Sequence, residues 1–148
     1  MLIKRKAFAY ITHSQRLLVL RHPYAAEAGI QVPAGTVEAD EFPEAAALRE
    51  ASEETGLSGL RLAGFLGEHI HSMADFGLAE THHRYFYHLL IGGEPPTTWR
   101  HAEMHPSDGT TEPITFEFFW VDLLRETPEL IADHDRFLPE LHQRLSLG

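Results

Sequence analysis

GTVEADEFPEAAALREASEETGL, running from Gly35 to Leu57, decides the fold. Its second half reads as a helix over Pro43–Thr55. Proline suits a first helical turn, where a missing N–H costs nothing. Ala45, Ala46, Ala47, Leu48 and Ala51 are good helix formers or small packing residues, and Gly56 fits the left-handed position just past a helix end. Glu50, Glu53 and Glu54 stand at i, i+3 and i+4, so they share one face. Like charges at that spacing destabilise a helix by a few tenths of a kcal/mol per pair, and a helix C-terminus disfavours negative charge. Two readings follow. Acidic runs are commonly solvated faces. Alternatively, a hard divalent cation resolves the repulsion: Mg²⁺ takes oxygen ligands and keeps waters that phosphate oxygens can replace.

Outward from this helix, Ile3–Thr12 and Gln15–His22 read as strands joined at His13-Ser14, the second with a buried Leu17–Leu20 core. Gln31–Val32 reads as a short strand leading into a turn at Pro33-Ala34-Gly35. Leu60–His71, His83–Ile91 and the aromatic Thr115–Val121 read as further strands. Gly92–Glu112, polar and holding Pro95, Pro96 and Pro106, reads as a long substrate-facing loop. From Asp122 onward the tail reads as helical, with Pro128 and Pro139 marking breaks or starts. Interleaved helical and strand segments predict an α/β or α+β class with a mixed sheet.

The 148 residues suit a single domain spanning 1–148. The absence of cysteine excludes a disulfide framework, a thiolate metal site and a cysteine nucleophile, and fits a cytoplasmic setting. The basic N-terminus lacks the apolar core of a signal peptide. No apolar run approaches a membrane span, so no membrane partner is expected. Net charge is −10, which argues against general nucleic-acid binding. A phosphorylated substrate stays open, because bound cations reverse a local field.

The spacing extends beyond the helix. Gly35, five residues, Glu41, seven residues, Arg49-Glu50, then Glu53-Glu54, Gly56 and Leu57 resemble the Nudix box, G-x5-E-x7-R-E-U-x-E-E-x-G-U, where U is a bulky aliphatic. Ala51, at the first U position, is smaller than the family's usual residue, and Ala34 stands where the usual lead-in carries a glycine. The resemblance implies an α/β/α sandwich around a mixed β-sheet, with the box as a loop–helix–loop catalytic motif. It implies hydrolysis of a nucleoside diphosphate linked to another moiety X, with Mg²⁺ or Mn²⁺ as cofactor. By position, Glu50, Glu53 and Glu54 correspond to the metal ligands. Glu53 or Glu54 corresponds to the group that activates or orients water, Arg49 to the support of these carboxylates, and Glu41 to a partner inside the box. The partner implied is a small nucleoside diphosphate derivative, an RNA 5′ end being the one nucleic acid kept in view. A homodimer is expected by resemblance alone. The alternative class is a nucleotide-binding or regulatory module of this fold without turnover. Such members usually lose box glutamates, and this chain keeps all three.

Outside the box, Glu103, Glu112 and Glu117 are candidates for a further acid, each with ordinary solvation as its plain alternative. Alternation places Glu117 on the face opposite Phe116, Phe118 and Trp120. His69 and His71 share a strand face near His82 and His83. Zn²⁺ is one reading, but a carboxylate helix without cysteine suits a hard ion better; phosphate hydrogen bonds or plain surface histidines are the others. Tyr85, Tyr87, Trp99 and Phe76 could stack a nucleobase, although aromatics at alternate strand positions more often form core. Arg21 and Arg84 are phosphate partners by type. No proline lies between Leu57 and Pro95, where members acting on ADP-ribose carry one, and X stays open.

Overall fold

Strand β1 (Leu2–His13) is buried on both faces from Ala7 to Thr12, as a central strand covered on both sides must be. Ala7, Ala9 and Ile11 join one core, and Phe8 and Tyr10 the other. The computed structural model from which these features are taken describes residues 2–103 and 113–145. Strands β2 (Arg16–Arg21), β3 (Ala34–Thr36), β4 (Leu60–Ser72), β5 (Glu80–Ile91), β6 (Trp99–Glu103) and β7 (Ile114–Asp122) complete the sheet. Its order is β4-β5-β1-β2-β7-β6, with β3 added against β1. The pairing of β1 with β5 is parallel and the others are antiparallel, so the sheet is mixed.

The hairpin of β1 and β2 pairs only at its closed end, Thr12 with Leu17 and His13 with Arg16. Beyond it the two strands separate, and residues 31–36 fill the gap. Gln31 bridges Leu20, the Pro33 carbonyl accepts from the Ala9 N–H, and β3 pairs Lys6–Phe8. Gly35 therefore sits where the sheet opens.

Helix α1 (Pro43–Thr55) covers one face through Ala46, Ala47 and Ala51. The small Ala51 is fully buried, and a helix seated on alanines needs no bulky aliphatic there. Helix α2 (Leu138–Arg144) covers the other face, with Leu138 and Leu141 packed among Tyr10, Leu17, Val19 and Phe86. A mixed sheet between two helices is the α/β architecture expected. Among the described residues no helix is long and apolar enough to cross a membrane.

Three expectations need correction. The short strand lies at Ala34–Thr36 rather than Gln31–Val32, where Gln31 makes a single bridge; the Pro33-Ala34-Gly35 turn signal yields to pairing with β1. The expected loop 92–112 contains β6, an edge strand on β7; five residues are too few to show a period. The tail is not helical from Asp122. It runs through turns and a 3₁₀ turn (Ile131–Asp133) before α2, which Pro139 helps to start. The tail is held by side chains instead: the Tyr10 hydroxyl donates to the His134 carbonyl and accepts from the Phe137 N–H.

Candidate active site

Arg49 organises the carboxylates. Its Nε and Nη2 donate to the two oxygens of Glu41 at 2.7 and 2.8 Å, a bidentate fork. Nη1 donates to Glu50 Oε1 at 2.8 Å and reaches Glu53 Oε2 at 3.5 Å, while Nη2 also donates to the Thr36 carbonyl. One guanidinium thus joins the loop to the helix. It holds the Glu41 carboxyl below its usual range, and Glu41 in turn holds Arg49 firmly protonated.

Glu50 is 3% exposed. Burial pushes its pKa up, against the opposing pull of Arg49. Its Oε2 is buried without a hydrogen-bond partner among the described residues, an arrangement costly for a carboxylate unless a cation meets it. Glu54 is buried and Glu53 half-exposed on the same helix. A divalent metal fits this donor set: three hard oxygen donors on one helix, one of them with an orphaned lone pair. A Cβ on Gly35 would lie 2.0 Å from Glu50 Cδ, so only glycine leaves room for this carboxylate.

The C-terminal end of α1 is braced by β6. Trp99 Nε1 donates to the Thr55 carbonyl at 2.8 Å, and His101 Nε2 lies 3.1 Å from the Glu53 carbonyl. Carbonyls in a last helical turn lack intrahelical partners, and these contacts fix the turn that carries Glu53 and Glu54. Neither residue was singled out for this role in the sequence, since both lie in the segment read as loop.

Beside Gly35 opens a cavity of about 310 Å³, lined by Lys6, Gly35, Phe76, His82, Arg84 and His134 among others. Lys6 donates to Thr36 Oγ1, and burial lowers its pKa. Arg84 is buried over the Phe8 ring and donates to the Ala132 carbonyl; burial lowers its pKa to about 10. Lys6 carries no sequence signal beyond a charge within an apolar strand.

The other candidates separate clearly. Glu117 is held by Arg21 and Arg100, and faces away from Phe116 and Phe118 and so from α1. Glu103 ends β6, its backbone pairing Ile114; Glu112 lies outside the described residues. Tyr87 is core, its hydroxyl donating to Glu44. Trp99 stacks on Phe118, and Tyr85 stacks on His83. Phe76 alone of the four lines the cavity. His82 bonds Glu80 and His83 bonds Glu68, whereas His69 and His71 meet Asp133.

Comparison with known proteins agrees with this fold. Residues 3–141 match the NUDIX domain. Among solved structures, a MutT NUDIX hydrolase from Burkholderia pseudomallei superposes with a TM-score of 0.60 at 24% identity, covering 97% of this chain and 98% of its own. The MutT protein from Methanosarcina mazei Go1 gives 0.64 at 17% identity, covering 97% and 96%. A UDP-X diphosphatase gives 0.60 at 17% identity and covers 95% of this chain, which spans only 61% of that protein. No curated protein matches by sequence.

Proposed function

The chain belongs to the NUDIX domain family, and from that premise we propose that it is a pyrophosphohydrolase that cleaves a nucleoside diphosphate from a linked moiety, with Mg²⁺ or Mn²⁺ held by Glu50, Glu53 and Glu54. The observation that carries this proposal is the orphaned, buried Oε2 of Glu50 beside a cavity lined with cationic side chains. An ion bound there would polarise phosphoryl oxygens and lower the pKa of a water.

The chain's own groups do the rest. Arg49 fixes the Glu50 carboxylate against the loop, so little rearrangement is needed when substrate binds. Glu53 and Glu54 orient or deprotonate the attacking water, Glu53 from a half-exposed position that solvent and substrate reach. Lys6 and Arg84 face an anionic group in the cavity, and the half-exposed Phe76 ring offers an apolar surface beside it. Positioning and charge stabilisation supply most of the expected acceleration.

The test is a substrate panel with Mg²⁺ or Mn²⁺, read as phosphate release through a coupling phosphatase. It holds nucleoside triphosphates, nucleotide sugars, ADP-ribose, dinucleoside polyphosphates and capped or triphosphorylated RNA. Cleavage of one class, abolished by EDTA and restored by metal, is the expected result and names X. Turnover unaffected by EDTA refutes the metal-dependent reaction. Nucleotide binding without any turnover refutes the enzyme and leaves a binding module.

A further inference from the structure

Asp133 is held in an uncommon backbone conformation on the opposite side of the sheet from α1. It and Ala132 both adopt left-handed geometry, φ 62° and 52°, though neither is glycine. Residues other than glycine rarely do so in succession. The result brings a carboxylate against the edge strand β4. Asp133 Oδ2 lies 3.4 Å from His71 Nδ1 and 3.8 Å from His69 Nε2. One ligand atom from each of the three residues lies within 4.8 Å of the other two.

Hydrogen bonding accounts for this cluster only weakly: His71 makes one long contact to Asp133, and His69 lies farther off. Both separations exceed the roughly 2.7–3.2 Å of a good N–H···O bond. The second nitrogen of His71, Nε2, is buried with no hydrogen-bond partner among the described residues. An ion about 2.0–2.1 Å from each of three tetrahedral ligands needs those atoms roughly 3.4 Å apart. The His71–Asp133 pair is already at that separation, and a small rotation of His69 closes the third side.

We propose that His69, His71 and Asp133 form a second metal site, separate from the glutamate helix, for a borderline divalent ion such as Zn²⁺, with water completing the coordination. The donor set favours that class of ion: two imidazole nitrogens and a single carboxylate suit Zn²⁺, whereas Mg²⁺ takes oxygen ligands. The ion would clip residues 131–134 to β4. Ala132 lines the cavity and its carbonyl accepts from Arg84, so the clip would also fix one cavity wall.

The test is independent of the hydrolase assignment. Zn²⁺ is titrated by calorimetry into untagged, chelator-stripped full-length protein, with excess Mg²⁺ occupying the glutamates. The expected result is one Zn²⁺ per chain, retained in Glu53→Gln and weakened at least about tenfold in both His71→Ala and Asp133→Asn. Asp133 is half-exposed, so its variant keeps the core and remains a fair test if His71→Ala fails to fold. Co²⁺ should bind with the intense visible absorption of four-coordinate nitrogen and oxygen ligation. No Zn²⁺ binding under excess Mg²⁺, binding that survives Asp133→Asn, or binding lost in Glu53→Gln would each overturn the site.

Discussion

The two faces of the sheet handle ionisable groups in opposite ways. Beside α1 the chain gathers carboxylates, and one guanidinium, Arg49, touches Glu41, Glu50 and Glu53. Beside α2 it buries imidazoles instead: His88 bonds Thr12 Oγ1, and His134 accepts the Val32 N–H while packing edge-on to Phe8. The first face keeps carboxylates and leaves an oxygen for a cation; the second buries imidazoles that stay neutral beside one buried guanidinium, Arg84. The helices match this division. α1 seats on alanines, which brings its backbone and the base of its glutamates close to the sheet, whereas α2 anchors through two leucines.

The largest expected effect tests whether the first face is catalytic. Glu53→Gln removes a charge from a half-exposed position, so the thermal midpoint should hardly move while turnover falls by several orders of magnitude. A loss below tenfold would deny Glu53 its role and reduce the acidic face to a solvated one.

Gly35→Ala comes next. The added methyl would lie 2.0 Å from Glu50 Cδ, so the carboxylate must shift from its place beside Arg49. Metal affinity, read by calorimetry with Mn²⁺, should drop at least about tenfold, with overpacking costing about 1–3 kcal/mol of stability. Unchanged affinity would mean that Glu50 is not a ligand.

The second face should declare itself through pH. In chelator, with no metal bound, burial holds the pKa of His88 below its ordinary value and that of His134 down to about 3. Arg84, His71 and His82 add to the effect on His134, and Arg144 to that on His88. A histidine depressed in the fold is neutral there but takes a proton when unfolded. Its contribution is therefore fully present above about pH 6.5 and is lost as pH falls below it. Urea midpoints should decline steadily from pH 7 to pH 5 and do so less in His88→Gln. A flat profile would refute the neutral-imidazole account.

The same division explains what the sequence made legible. The groups of the first face lie between Gly35 and Gly56, so a helical period and a fixed spacing place Glu41, Arg49 and the three glutamates without knowledge of the rest. Strands β1, β2, β5 and β7 were legible because their apolar runs are long. The second face is assembled from β1, β4, β5 and the tail, and its contacts depend on pairings remote in sequence. Tyr10 meets His134 and Phe137 across more than a hundred residues, and nothing local to Ala132 or Asp133 announces their left-handed turn. β6 was missed for a related reason: it is a short edge strand whose partner is set by the aromatic strand β7, and its bracing of α1 through Trp99 and His101 follows only from that pairing.

The smallest effect asks whether the first face sacrifices stability to keep its charge. Glu50 has a buried oxygen without a hydrogen-bond partner and a pKa raised by burial. A Gln there would still accept from Arg49 Nη1 through its carbonyl oxygen while removing the buried negative charge. In chelator, Glu50→Gln should therefore be more stable than the parent chain by up to about 1–2 kcal/mol, since an unsatisfied buried charged group costs at least that much. On adding Mn²⁺ the order should reverse, because binding stabilises only the chain that keeps its ligand. Thermal midpoints with and without metal decide it. If Glu50→Gln is less stable in both conditions, the carboxylate is a structural partner of Arg49, and the contrast between a face that keeps carboxylates for a cation and one that buries neutral imidazoles fails at its central residue.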